Sequence, residues 1–188
     1  QLKDISVGIW DGQGNTVAIP VGLPAQFVGA KYSVRYIINE YGSDIFPGDV
    51  FLANDPYKGY SCHPPDWGFF RPIFHDDKLI FWTLARAHVE DTGAAFPGAY
   101  FSDPYDVHSE GLLIPGVKII ERGKEQRDIM RLIFNNVRLA DGVRSDSYAM
   151  IAATELGEDR LLDLVRKYGV DTVTRCMETM QARTEKAV

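Results

Sequence analysis

Two β-rich runs, Trp67-Gly68-Phe69-Phe70-Arg71-Pro72-Ile73-Phe74 and Leu79-Ile80-Phe81-Trp82-Thr83-Leu84-Ala85, constrain this chain more than anything else in it. The second run is nearly all apolar, the pattern of a strand covered on both faces near the centre of a sheet. Between them His75-Asp76-Asp77-Lys78 predicts a polar turn, so the two runs pair antiparallel. That pairing dictates what meets at the far end. Asp66 enters the first strand and His88 leaves the second, so residues distant in the chain arrive at the same edge.

The residues at that edge repeat a pattern. His63-Pro64-Pro65-Asp66 and His88-Val89-Glu90-Asp91 both read His-x-x-Asp. Imidazole and carboxylate together suit a borderline or hard divalent cation such as zinc, manganese or iron. A single pair more often serves loop hydrogen bonding; two pairs at matching ends of one hairpin favour a shared ion. Pro64 and Pro65 stiffen the backbone between the first His and its Asp, although a Pro-Pro step also simply starts strands. His75 is expected at the surface of its turn. His108 either orients a loop or takes part in chemistry. Asn54-Asp55-Pro56-Tyr57 reads as a strand-ending turn whose Asp accepts backbone hydrogen bonds. Cys62 reads as a small residue packed near the site rather than a thiolate, and Phe69, Phe70, Phe81 and Trp82 as core.

The remaining segments frame that hairpin. Ile5–Trp10 and Thr16–Val21 flank the turn residues Asp11-Gly12-Gln13-Gly14-Asn15 and predict a second hairpin. Helical spacing runs from Gln26 to Tyr41 and stops at Gly42. Asp49–Ala53 and Val117–Ile120 are strand-like, with a loop over Gly93–Tyr105 between them. Helical patterns then cover 128–137, 146–156, 158–168 and the stretch from Asp171. The fold class is therefore α+β, with a mixed, largely antiparallel sheet in the first two-thirds and a helical last third. One continuous domain is expected, with residues 1–125 carrying the site and 126–188 packed on it. Both ends look cut, since the chain opens on a strand without an initiator Met and stops inside a helical pattern. A fragment of a larger subunit is the expectation.

Charge narrows the function. The net charge of -6 and pI near 5.2 come without any Lys/Arg cluster, which argues against a nucleic-acid surface. No apolar run reaches the roughly 18 residues of a membrane span. Two cysteines form no disulfide framework, so a cytoplasmic setting is expected. No phosphate-cradling Gly-x-x-x-x-Gly-Lys-Ser/Thr motif is present, and Gly12 and Gly14 fall in a hairpin turn rather than in a dinucleotide fingerprint.

One order of motifs adds to this. Pro47-Gly48-Asp49-Val50-Phe51, Asn54-Asp55-Pro56-Tyr57, His63-Pro64-Pro65-Asp66, His88 with Asp91, Pro97-Gly98, and Glu110-Gly111-Leu112 before Ile114-Pro115 and Val117-Lys118 resemble the hydantoinase B/oxoprolinase family. Asn136-Val137-Arg138, Gly157-Glu158 and Lys167-Tyr168-Gly169 extend the likeness along nearly the whole chain. The resemblance implies His63, Asp66 and His88 as metal ligands, with Asp91 and Glu110 as candidate catalytic groups. It also implies a hetero-oligomer in which a hydantoinase A-type partner subunit binds ATP and phosphorylates the substrate. Two reactions belong to such a family, ketone carboxylation with bicarbonate and the opening of a cyclic amide. Trp67-Gly68-Phe69-Phe70-Arg71-Pro72, with Tyr100-Phe101, looks more like the ketone carboxylase branch, in which Asp91 would orient His88 or relay a proton. A non-catalytic structural subunit is the alternative of a different class. The chain departs from the pattern at Thr92-Gly93-Ala94, where two glycines are common, at Val89, where a second histidine is common, and at Pro115-Gly116, where Pro-Pro is common.

Overall fold

The computed structural model describes residues 4–20, 23, 26–27, 29–98 and 103–187. Seven strands form one sheet: β1 (Ile5–Asp11), β2 (Thr16–Ala18), β3 (Val50–Ala53), β4 (Asp66–His75), β5 (Lys78–His88), β6 (Pro115–Glu121) and β7 (Lys124–Glu125). Their order is β2-β1-β5-β4-β3-β6-β7, and every pairing among the described residues is antiparallel. The central hairpin runs the full length foreseen, with Asp66 opposite His88 and Gly68 opposite Arg86. Asp76 and Asp77 take positive φ in its turn, a conformation that aspartate tolerates better than most residues.

The helices that cover the sheet among the described residues are α1 (Ala30–Tyr41), α2 (Arg127–Asn135), α3 (Ala140–Tyr168) and α4 (Val170–Ala187). Alternation along each strand divides the core between two faces. Trp10, Phe51, Phe70, Trp82 and Leu84 pack against Ala30, Val34 and Ile37 of α1. On the opposite face Leu52, Trp67, Phe69 and Ala85 meet Met130, Ile133, Phe134, Val143, Met150 and Ile151 of α2 and α3. Ile73 and Phe81 meet Leu161, Val165 and Val173 further along. The described elements thus form three layers, with α1 on one side of the sheet and α2, α3 and α4 on the other.

Two sequence patterns, 146–156 and 158–168, turn out to be one 29-residue helix. Gly157 does not interrupt it, because the missing side chain lets α3 lie close on Thr83 of β5: a Cβ there would stand 2.8 Å from Thr83 Cγ2. Thr83 Oγ1 donates to the Thr154 carbonyl at 3.0 Å, and Arg71 Nε to Thr154 Oγ1 at 3.2 Å. The interior Gly therefore marks close packing. Gly169, at φ 81, ends α3 where the sequence placed its cap. Among the described residues no helix is long and apolar enough to cross a membrane.

Candidate metal centre

The site lies where β4 begins and β5 ends, on the face that α1 covers. His63 Nε2 stands 3.0 Å from Asp66 Oδ1, His88 Nδ1 stands 3.5 Å from the same oxygen, and the two ring nitrogens are 3.3 Å apart. Ligand atoms about 2.1 Å from one ion in a tetrahedral set lie roughly 3.4 Å from each other. The triangle fits that requirement. Among the described residues this trio forms the one His/Cys/Asp/Glu group whose donor atoms converge closely enough to hold an ion.

Local hydrogen bonds explain why the trio assembles. The Asp66 N–H donates to the His63 carbonyl, closing the His-Pro-Pro-Asp turn. The Pro65 carbonyl accepts from Val89 N–H at 2.9 Å, which joins the two His-x-x-Asp segments backbone to backbone. Ser61 Oγ donates to the Asp66 carbonyl at 2.8 Å. Asn54, fully buried at the end of β3, clamps three strands of chain together. Its amide donates to the Pro64 and Leu112 carbonyls at 2.7 and 2.8 Å, and its oxygen accepts from Ile114 N–H at 2.6 Å. Asp55 forms the expected turn, accepting from the N–H groups of Tyr57 and Lys58.

Electrostatics favour a charged carboxylate here. Burial raises the Asp66 carboxyl, but hydrogen bonds from His63 and His88 outweigh it and hold the group at about 2. Behind it lies Arg86, wholly buried, whose guanidinium burial pulls down to about 10 while the Asp66 charge pushes back. Arg86 was missed in the sequence because it sits inside an apolar strand. Its signal was there, however: two residues before His88, it must share that residue's face.

Asp91 does not join the trio. It is buried, and its two oxygens accept from the Arg138 backbone N–H and, at 2.9 Å, from Arg138 Nη1. Arg138 Nη2 also donates to the Ala94 carbonyl at 2.6 Å. Through these contacts Asp91 ties the site's loop to the α2–α3 connection; the sequence expectation for it is to orient His88 or relay a proton. Glu110 ends a 3-10 turn, Val107–Glu110, capped by Asp106. Its carbonyl accepts from Thr92 Oγ1 at 2.7 Å, and Gly111 must be glycine: at φ 111, a Cβ would stand 2.4 Å from the Thr92 carbonyl oxygen. Glu110 and His63 line one cleft of about 370 Å³ with Tyr57, Cys62, Asp106 and Val107. Cys62 is exposed there rather than packed away, and partial desolvation, with the Asp66 charge nearby, raises the thiol. His75 is half-buried beside Asp76, and His108 belongs to the 3-10 turn. Tyr100 and Phe101 lie outside the described residues.

Residues 1–188 match the hydantoinase B/oxoprolinase family throughout. The chain belongs to that family. It is 31% identical over 177 residues to the beta subunit of caprolactamase from Pseudomonas jessenii, covering 93% of this chain and 29% of that protein. It is 28% identical over 178 residues to the acetophenone carboxylase delta subunit of Aromatoleum aromaticum, covering 94% of this chain and 26% of that one. The crystal structure of ATP-dependent caprolactamase from Pseudomonas jessenii superposes with a TM-score of 0.94 at 28% identity, over 98% of this chain and 32% of that chain. The chain thus spans less than a third of the length of these family members. Amide-opening and ketone-carboxylating enzymes both appear among them.

Proposed function

We propose that this chain is the metal-bearing part of a subunit in an ATP-dependent multisubunit enzyme, and that the reaction it completes is the opening of a cyclic amide. The observation that carries the proposal is the triangle of His63 Nε2, Asp66 Oδ1 and His88 Nδ1, with edges of 3.0 to 3.5 Å. These three residues would hold a divalent ion; the mixed N/O donor set suits manganese, zinc or iron. Three protein ligands leave coordination positions open, as in catalytic sites. Bound there, the ion supplies Lewis-acid polarisation of a carbonyl oxygen and a lowered pKa for water.

The chain's own groups do the rest. Glu110, on the cleft wall it shares with His63, is the candidate base for the proton of attacking water. Thr92 and Gly111 hold its backbone in place. Tyr57, Pro56, Pro64 and Val107 give the cleft apolar surface against which the methylenes of a lactam ring would pack. ATP falls to a partner subunit of the hydantoinase A type, which would activate the substrate as a phosphate ester. The likeness to the caprolactamase beta subunit, 31% identical over 177 residues, supports the amide reading.

Carboxylation of a phosphate-activated ketone with bicarbonate is the second reading, favoured by the likeness to the acetophenone carboxylase subunit. The Trp67–Pro72 run supports it as a sequence likeness, and its fully buried Trp67, Phe69 and Phe70 act as core rather than as substrate contacts. Assay of the whole complex with ATP distinguishes the two: cyclic amides are the expected substrates, and bicarbonate-dependent consumption of ketones alone overturns the amide reading. His88→Ala should lower metal occupancy at least tenfold and abolish turnover with it. Full metal occupancy in that variant would overturn the ligand set. Wild-type protein that binds no ion would point instead to a structural subunit.

A further inference from the structure

Arg86 is buried with little compensation: its guanidinium lies 5.8 Å from the Phe70 ring centroid, and the Asp66 charge acts on it only from beyond ion-pair distance. Its guanidinium is wholly buried, yet among the described residues no carboxylate lies within ion-pair distance of it. It donates instead to two neutral acceptors, the Gln26 carbonyl at 2.8 Å and Ser33 Oγ at 3.2 Å, and its Nε has no hydrogen-bond partner. Burying a cation on such terms is expensive. The fold nevertheless makes room for it: Gly68 stands opposite in register, and a Cβ there would come 3.0 Å from Arg86 Nε. A residue kept at this cost, on the same face as His88 and two positions from it, calls for a role at the site.

Gln26 supplies the connection. It is almost wholly buried, and its side-chain amide nitrogen donates to Asp4 Oδ1 at 2.8 Å and reaches Asp66 Oδ1 at 3.5 Å. That Asp66 oxygen is the one facing both imidazoles. The contacts form one line: Arg86 grips the Gln26 backbone, and the Gln26 amide reaches the same Asp66 oxygen that both histidines face.

We propose that Arg86 is a positioning residue of the metal centre and acts through Gln26, the guanidinium anchoring Gln26 and the Gln26 amide fixing the Asp66 oxygen between His63 and His88. This rests on the metal reading above. Partners that orient a ligand from outside the coordination sphere are typically worth about 10- to 100-fold in metal affinity.

The test is calorimetric titration of manganese and zinc into the metal-depleted full-length subunit, in wild type, Gln26→Leu, Arg86→Met and the double variant. Arg71→Met serves as a control, since Arg71 is a buried arginine that fastens α3 through Thr154 and Glu158. Gln26→Leu and Arg86→Met should each weaken metal binding at least tenfold, and Arg71→Met should lower stability while leaving affinity within about twofold. Because the two residues act in one line, the double variant should bind no more weakly than the worse single variant. Gln26→Leu with wild-type affinity overturns the proposal, even where Arg86→Met does not fold. Losses that multiply in the double variant overturn the claim that Arg86 acts through Gln26. Wild-type protein that takes up no metal defeats the metal reading itself, a result distinct from either.

Discussion

At Asp66 two forces oppose each other. Burial disfavours the charge, and the hydrogen bonds and charge interactions with His63 and His88 more than compensate, leaving the carboxyl at about 2. A carboxyl depressed in the folded state contributes stability above its unfolded value of roughly 3.9, and that contribution is lost as pH falls toward 2. Metal-free wild type should therefore lose on the order of 2 kcal/mol more than Asp66→Asn across this window. Urea midpoints at about pH 5 and about pH 2.5 measure it, and parallel losses in both proteins would contradict the account. The trio itself was legible in the sequence, because an antiparallel hairpin forces its two outer ends together. Gln26 was not. It enters from a segment 40 residues before Asp66, and no pattern in the string says that an amide from there will reach the Asp66 carboxylate.

Among the elements, the sheet was easier to foresee than the long helix. Strands β4 and β5 announce themselves by composition, and their turn by its aspartates. The helical last third was read as shorter pieces because Gly157 looks like a breaker when only helix propensity is considered. In the fold, Gly157 is where α3 presses on β5, and Thr83 cannot yield easily since its hydroxyl is committed to the Thr154 carbonyl. Gly157→Ala should thus destabilise by about 1–2 kcal/mol through overpacking, although Ala in an open helix position would gain up to about 1 kcal/mol. The clash is with Thr83 Cγ2. Thr83→Ser, which keeps the hydroxyl and removes that methyl, should restore most of the loss in the double variant. Equal stability of wild type and Gly157→Ala in urea titrations would show that the layers are looser than this packing requires.

Across the whole molecule, the sequence foretold sheet then helices, but not which face each helix would cover. Periodicity tells which side of an element is apolar; it does not say which of two apolar sheet faces a helix meets. The answer matters because the His63–Asp66–His88 trio lies on the face that α1 covers while α2, α3 and α4 pack on the other, and one ion pair, buried at its Asp91 end only, links the site's loop to the second layer. Asp91 follows His88 by three residues, and its carboxylate is held by Arg138 between α2 and α3. The neighbouring Thr92 in turn secures the backbone of Glu110. Asp91→Asn should leave metal affinity within about twofold while costing about 2 kcal/mol, since Asp91 is buried but Arg138 is 45% exposed and can be hydrated. For a chain of this size that is a fall of roughly 4–8 °C in Tm. Turnover should drop with it, because the loop that carries Thr92 loses its tie to the helical layer. Metal loss in Asp91→Asn at unchanged Tm would reverse the assignment, making Asp91 a partner of His88 and the Arg138 contact secondary.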